Sequence, residues 1–339
     1  MTLDDFDYHL PEELIAQHPL DDRAASRLLH LNPATGEIQH KAFRDCLDLL
    51  KEGDVLVVNN TRVTALRLFG TRIPSGGRVE ALLLHPTGEP DSFLALCRPA
   101  KKLKVGDHVD FSHGLTGEVM RIGEEGRRTI HFSCETGSVE DALARVGETP
   151  LPPYIHAKLA DPERYQTVFA KSAGSAAAPT AGLHFTPEIL EAIKAKGVKI
   201  AEVTLDVSID TFRPVQSSNL DEHVMHGESC RIGSEAAEII NSAKGRVIAV
   251  GTTAVRTLET MAVGPGLVGP GSSISKLFIR PGYDWQVVKG MFTNFHLPKT
   301  TMLLMISALA DPELIKKSYQ EAVFHRYRFL SFGDSMLIL

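Results

Sequence analysis

Gly53-Asp54-Val55-Leu56-Val57-Val58-Asn59-Asn60-Thr61-Arg62 is the stretch that decides the fold. Val55 to Val58 would present apolar groups on both faces of an extended chain, as in a strand of a parallel sheet covered on both sides. The run ends in a polar cluster, Asn59-Asn60-Thr61-Arg62. Ligands of open α/β sheets bind just beyond the carboxyl ends of strands, so these four residues are candidates for ligand contact.

Upstream, Asp7 to Ala16 reads as an extended entry turning into a short helix after Pro11, and a helix over about residues 42–50 stops at Gly53. Downstream the texture changes. Short β-prone runs at 66–71, 79–84, 93–97, 107–111, 117–122 and 129–132 are separated by Gly, Pro and Asp with no helical pattern between them. That spacing predicts a small antiparallel barrel or sandwich. The expected organisation is mixed α/β: a discontinuous α/β domain of residues 1–65 and 134–339, with an inserted β-barrel over 66–133. A helix near 138–146 and the turn Thr149-Pro150-Leu151-Pro152-Pro153-Tyr154 start the return. Then come a helix begun by Thr186-Pro187 and closed by Gly197, a strand over 199–205, a helix over 234–243, a strand over 246–250 and a helix over 254–261. The Gly- and Pro-rich stretch 263–273 reads as a surface loop.

The net charge of −6 over 339 residues gives no overall attraction for a polyanion, so an RNA partner would need a local basic face. Cys46, Cys97, Cys134 and Cys230 form no paired motif and read as buried thiols of a reducing compartment. The acidic start, Met1-Thr2-Leu3-Asp4-Asp5, lacks the apolar core of a signal peptide, and no apolar run approaches the roughly 20 residues of a membrane span. A cytoplasmic protein is expected.

Five segments carry chemistry. In Arg246-Val247-Ile248-Ala249-Val250-Gly251-Thr252-Thr253-Ala254-Val255-Arg256, a strand turns into a helix whose free N–H groups favour an anion. Thr252, Thr253 and Arg256 could assist, although an ordinary turn with a Thr cap reads equally well. Pro179-Thr180-Ala181-Gly182-Leu183-His184-Phe185-Thr186 is a small-residue loop that lets backbone approach a flat ligand and presents His184, or merely a loop whose His donates to a carbonyl. Glu222-His223-Val224-Met225-His226-Gly227-Glu228 invites a metal, but it is not HExxH and fixes no third ligand, so an acid–base or RNA-contacting loop fits better and no metal is expected. In Phe292-Thr293-Asn294-Phe295-His296, a strand would put Asn294 and His296 on one face. Tyr327-Arg328-Phe329-Leu330-Ser331-Phe332-Gly333-Asp334 interleaves aromatics with Arg and suits base stacking or edge-strand packing.

These segments occur in one order along with Val57-Val58-Asn59-Asn60-Thr61-Arg62-Val63 and Tyr165-Gln166-Thr167-Val168-Phe169. In this the chain resembles the S-adenosylmethionine:tRNA ribosyltransferase-isomerase family over essentially its whole length. The resemblance implies the same α/β domain with a barrel insert. It also implies a reaction: the ribosyl part of S-adenosylmethionine passes to the amine of 7-aminomethyl-7-deazaguanine at the wobble position of tRNAs with GUN anticodons. Rearrangement gives epoxyqueuosine, with release of adenine and methionine. The donor is a substrate, so no cofactor is expected; the expected partners are S-adenosylmethionine and that tRNA, with no membrane, and the chain is expected to be a monomer.

Such a reaction needs proton transfer and positioning. His184, His223, His226 and His296, with an ordinary pKa of about 6.5, suit the transfers, with Glu228 behind them. Asn59, Asn60 and Thr61 are expected on ribose or adenine, Arg62 beside them in the substrate set, and Thr252, Thr253 and Arg256 on the methionine carboxylate. Thr180, Asn294, Arg328 and Asp334 complete the substrate set. Arg98, Lys101, Lys102 and Lys104 on the barrel are the expected tRNA contacts, with Lys316, Lys317, Arg326 and Arg328 a second basic group; solvated faces are the plain alternative. One segment departs from the family pattern His-x-Gly-x-Gly-Thr-Phe: here it reads Asp206-Val207-Ser208-Ile209-Asp210-Thr211-Phe212. Either this loop stands off the ligand or Asp206 and Asp210 bring carboxylates of their own. A non-catalytic tRNA-binding module is the alternative that this departure keeps open.

Overall fold

The structure, a computed structural model, describes all residues except 1, 208–219, 221, 222, 224 and 226. The chain divides into two compact units, one of Met1–Thr61, Pro152–Ser172 and Ala178–Leu339, the other of Arg62–Leu151 and Ala173–Ala177.

In the first unit Val55–Asn59 is a central strand of a nine-stranded sheet. The order across the sheet is Gly271–Ser275, Glu228–Ile232, Lys199–Leu205, Val55–Asn59, Val247–Val250, Gly290–Asn294, Ser335–Ile338, Arg27–Leu31 and Ile38–Ala42. Four strands in the middle, from Lys199–Leu205 to Gly290–Asn294, run parallel. Every residue of Val55–Asn59 is buried because its alternate side chains feed two cores. Val55 and Val57 pack with Ala236, Ile240, Val255 and Leu258 from helices Ser234–Asn241 and Gly251–Thr260. Leu56 and Val58 pack with Ile189 and Ile193 of helix Pro187–Ala195 on the other face. A strand apolar on both sides thus finds cover on both sides.

The second unit is a closed antiparallel barrel of strands Leu66–Ile73, Arg78–Pro86, Ser92–Arg98, His108–Asp110, Leu115–Ile122 and Arg127–Cys134. Helix Val139–Val146 packs Ala142 and Leu143 into the barrel's own core, so it belongs with the barrel instead of opening the return of the α/β layer at residue 134. Its apolar groups fall on one side and need that core for cover.

Two further expectations change. The stretch 263–273 is more than a loop: it holds the short strands Ala262–Gly264 and Leu267–Val268 and enters Gly271–Ser275, the outermost strand of the large sheet. Its serines lack the apolar alternation that marks a strand, and the ladder to Glu228–Ile232 holds it instead. Helix Gly251–Thr260 begins at Gly251, with φ +86°, so Thr252 and Thr253 lie in its first turn and neither is the cap. Cys46, Cys97 and Cys230 are buried and no disulfide forms.

Asp54 pins the start of the central strand. Its carboxylate, 1% exposed, accepts from the backbone N–H of Arg246 at 2.8 Å, from Arg246 Nη2 at 2.6 Å and from the backbone N–H of Lys51 at 2.9 Å. Burial alone would raise its pKa, but these bonds outweigh it and hold the carboxyl below the usual range. Asp54→Ala should therefore cost about 3 kcal/mol, the low end for a buried pair because Arg246 stays 30% exposed. Urea unfolding measures it, and a loss below about 1 kcal/mol would mean that the pair does not hold the strand.

Candidate active site

The parallel strands Val247–Val250 and Gly290–Asn294 end side by side, with Val250 opposite Phe292. Their carboxyl ends open into a cleft lined by Pro179, Thr180, Ala181, Gly251, Thr252, Thr253, Thr293, Asn294, His296, Tyr154, Leu330 and Ser331, among others. Ligands of α/β sheets bind at such an edge. Gly251 brings the helix start close to the 179–184 loop: a Cβ there would lie 3.4 Å from Ala181. The positive end of helix Gly251–Thr260, with Thr252 and Thr253, lines the cleft, and among the described residues no group bonds the buried Thr253 hydroxyl.

A chain of hydrogen bonds fixes one wall. Thr180 Oγ1 donates to Asn294 Oδ1 at 3.0 Å, which sets the orientation of that amide. Asn294 Nδ2 then donates to His184 Nε2 at 3.2 Å. His184 must carry its proton on Nδ1, which donates to Ser26 Oγ at 2.8 Å, and Ser26 in turn donates to Arg23 O at 3.3 Å. His184 also stacks on Phe43, 5.1 Å between ring centres. Burial, aided by the cations Arg328 and Arg23, pushes its pKa down to about 3. Both ring nitrogens are hydrogen-bonded and the ring is neutral, an arrangement that holds Asn294 in place.

His296 differs. The Thr293 hydroxyl lies 3.2 Å from the carbonyl of Asn294 and 2.7 Å from His296 Nε2. If its proton goes to the carbonyl, His296 Nε2 donates to Thr293 and the lone pair sits on Nδ1; if it goes to Nε2, the ring proton sits on Nδ1. The backbone of His296 is gripped from both sides: its N–H donates to Tyr319 Oη at 3.0 Å, and Tyr8 Oη donates to its carbonyl. Burial lowers its pKa to about 4. Among its described residues the cleft therefore offers a neutral imidazole, an oriented amide and a helix N-terminus.

A family model described as queuosine biosynthesis protein matches residues 3–338. The S-adenosylmethionine:tRNA ribosyltransferase-isomerase of Natranaerobius thermophilus is 49% identical over 342 residues, spanning 100% of this chain and 99% of that protein. The chain belongs to the queuosine biosynthesis protein family. The crystal structure of S-adenosylmethionine tRNA ribosyltransferase from Thermotoga maritima is also similar, with 35% identity, a TM-score of 0.56, and coverage of 99% of this chain and 100% of that one.

Thr180, Thr252, Thr253, Asn294 and His296 thus come together in the cleft, with His184 directly behind Asn294. Other expected site residues are spent elsewhere. Asn59, fully buried, donates to Leu205 O and accepts from Leu205 N, each at 3.0 Å, extending the ladder by a side chain. Asn60 joins Glu202 at 3.2 Å and Thr204 at 2.8 Å. Thr61 Oγ1 donates to Asp206 Oδ1 at 2.8 Å, so this carboxylate secures the end of the central strand. Arg62 falls in the barrel unit. Arg256 and Glu228 form a buried ion pair, with Arg256 Nη2 also donating to Ser275 O at 2.9 Å, so neither is presented to a ligand. Asp334, 2% exposed, accepts from the backbone N–H of Arg27 at 2.9 Å, from Arg27 Nη2 at 3.0 Å and from the backbone N–H of Arg328 at 2.8 Å; Arg328 reaches the carbonyl of His18. His223 packs edge-on against Phe278, 5.1 Å between rings. His226 and Asp210 lie outside the described residues.

Tyr154 and Ser331 were not expected. Their hydroxyls meet at 2.7 Å on the cleft wall, and burial pushes the Tyr154 phenol up to about 12, so it stays a neutral donor. Both stand in quoted segments, but nothing local distinguishes a cleft hydroxyl from a turn hydroxyl.

The buried histidines impose a pH dependence. Unfolded, each takes a proton near pH 6.5, roughly; folded, His184 and His296 stay neutral down to about pH 3 and pH 4. The folded values are depressed, so the unfolded chain binds more protons and stability falls as pH drops below about 6.5. Each histidine contributes a slope of up to about 1.4 kcal/mol per pH unit. Replacing His184 by Gln should flatten the fall in unfolding free energy between about pH 6.5 and 5. Urea titrations across that range measure the slope, and one equal to the unsubstituted protein's would mean that folded His184 takes up a proton.

Proposed function

We propose that this chain transfers and isomerises the ribosyl part of S-adenosylmethionine onto 7-aminomethyl-7-deazaguanine at the tRNA wobble position, with release of adenine and methionine. The observation that carries this reading is the cleft at the carboxyl edge of the parallel strands. There the segments 178–181, 251–253, 293–297 and 330–331, distant in sequence, converge on one imidazole and one helix N-terminus. Membership of the family supplies the reaction class.

The donor's carboxylate fits the N–H groups at Gly251 to Thr253 and the two Thr hydroxyls. Its adenine and ribose meet the amide of Asn294 and the hydroxyls of Tyr154 and Ser331. The sulfonium acidifies an adjoining ribose C–H, and His296 Nδ1 takes that proton. His184 and Thr180 hold Asn294 in register. The reaction requires neither metal nor cofactor, since proton transfer and a sulfonium leaving group are enough.

Incubation with S-adenosylmethionine and precursor-bearing tRNA, in buffer containing EDTA, is expected to release adenine and methionine. Bound tRNA with no adenine released would leave only an RNA-binding module. His296→Ala should lower kcat by about 10²- to 10⁴-fold with little change in KM for the donor. A fall of only a few-fold would remove His296 from the proton transfer.

Arg98, Lys101, Lys102 and Lys104 are exposed on the barrel unit and suit the phosphates of the tRNA. Replacing the three lysines by Ala should weaken tRNA binding and flatten its salt dependence, by a log–log slope of roughly 0.7 per lost contact on single-stranded RNA. An unchanged slope would mean that these lysines meet only solvent.

A further inference from the structure

Away from the cleft, the edge strand Ile38–Ala42 and the end of helix Pro312–Phe324 bring His40, Glu321 and His325 together. One ligand atom of each lies within 4.8 Å of the other two. Glu321 and His325 are four residues apart at the helix end, with Glu321 Oε2 and His325 Nε2 3.3 Å apart. Two donors around a tetrahedral ion at about 2.0–2.1 Å stand at nearly that separation. The His40 and His325 rings lie 4.5 Å apart, centre to centre.

His40 is also oriented from behind. Its Nδ1 is 2.8 Å from the hydroxyl of Tyr327, a residue 1% exposed and therefore fixed. Histidines that bind metals characteristically make such a bond through their second nitrogen, which fixes the ring. Arg27 lies 4.1 Å over the Tyr327 ring and is paired with Asp334 at 3.0 Å, so its charge is compensated locally. A hydrogen-bonded cluster of surface side chains would need neither the second histidine on the neighbouring strand nor the fixed tyrosine behind it.

We propose that His40, Glu321 and His325 form a binding site for one divalent transition ion of the zinc class. Two imidazoles and a carboxylate are ligands that zinc accepts, with water completing the shell. The ion clips the edge strand to the last helix. None of its three ligands lines the cleft, so its signature is stability and not turnover. An ion that binds the folded chain and not the unfolded one raises Tm in proportion to the logarithm of its concentration.

The test uses zinc chloride on the full chain stripped with EDTA and dialysed, with uptake followed by calorimetry and Tm by thermal unfolding. The expected result is one equivalent bound and a Tm raised by a few degrees. His40→Ala and His325→Ala should each weaken binding by more than tenfold and abolish the rise in Tm, with the zinc-free Tm and circular dichroism unchanged. Tyr327→Phe keeps all three ligands and should weaken binding by roughly tenfold. Uptake that is the same in the double variant His40→Ala/His325→Ala as in the original chain overturns the site, as does failure to bind zinc at millimolar concentration.

Discussion

The position of everything in the α/β unit depends on how the strand Val55–Asn59 is fastened at its two ends. At its start Asp54 takes the backbone N–H and guanidinium of Arg246, which aligns the neighbouring strand Val247–Val250. At its finish the amide of Asn59 bonds both backbone groups of Leu205, which aligns Lys199–Leu205 on the other side. Slipping a strand by one residue would turn its side chains to the opposite face. Because Val55 and Val57 belong to one core and Leu56 and Val58 to another, a slip would disturb both cores at once. The cleft follows from this register. Gly251 and Asn294 can stand together only if Val250 stays opposite Phe292.

The polar wall of the cleft is built on the same economy of bonds. From Thr180 through Asn294 and His184 to Ser26 and Arg23, each donor finds an acceptor in one direction along the chain of bonds. A buried network in which every member is satisfied is rigid, whereas a half-satisfied one is costly. That rigidity gives a neutral imidazole behind the wall a positioning role: it helps fix which edge of Asn294 faces the cleft.

Much of the fold was legible in the sequence. Val55 to Val58 announced a doubly covered strand because apolar side chains on both faces have no other stable environment. The β-prone runs between 66 and 132 each reappear as barrel strands, because alternation and turn residues are local properties. The 271–275 strand was hidden because its backbone ladder, and not its serine side chains, holds it. The site was harder to read. Asn59 and Asn294 are the same residue type at the ends of two strands, yet one extends the ladder and the other faces the cleft. Arg256 and Glu228 each looked available until folding paired them. Whether a polar side chain serves a ligand or the fold depends on partners distant in sequence, and no local pattern carries that information.

The cleft has one property that bears on its chemistry: among the described residues that line it, none carries a formal charge. His296 is neutral, and the buried charges nearby are paired off, Arg256 with Glu228 and Asp334 with Arg27. A carboxylate set against the sulfonium of the proposed donor would stabilise the ground state and weaken the pull on the neighbouring C–H bonds. An uncharged wall leaves that pull intact, and exclusion of water strengthens it. Asp206 fits this division of labour, for its carboxylate accepts from Thr61 and so secures the end of the central strand. Among the described residues the one fixed field in the cleft is then the positive end of helix Gly251–Thr260, which suits the carboxylate of the proposed donor and offers nothing to its sulfonium. A site of this kind would hold the proposed donor by its carboxylate and leave its sulfonium unscreened, which favours proton removal by a weak neutral base.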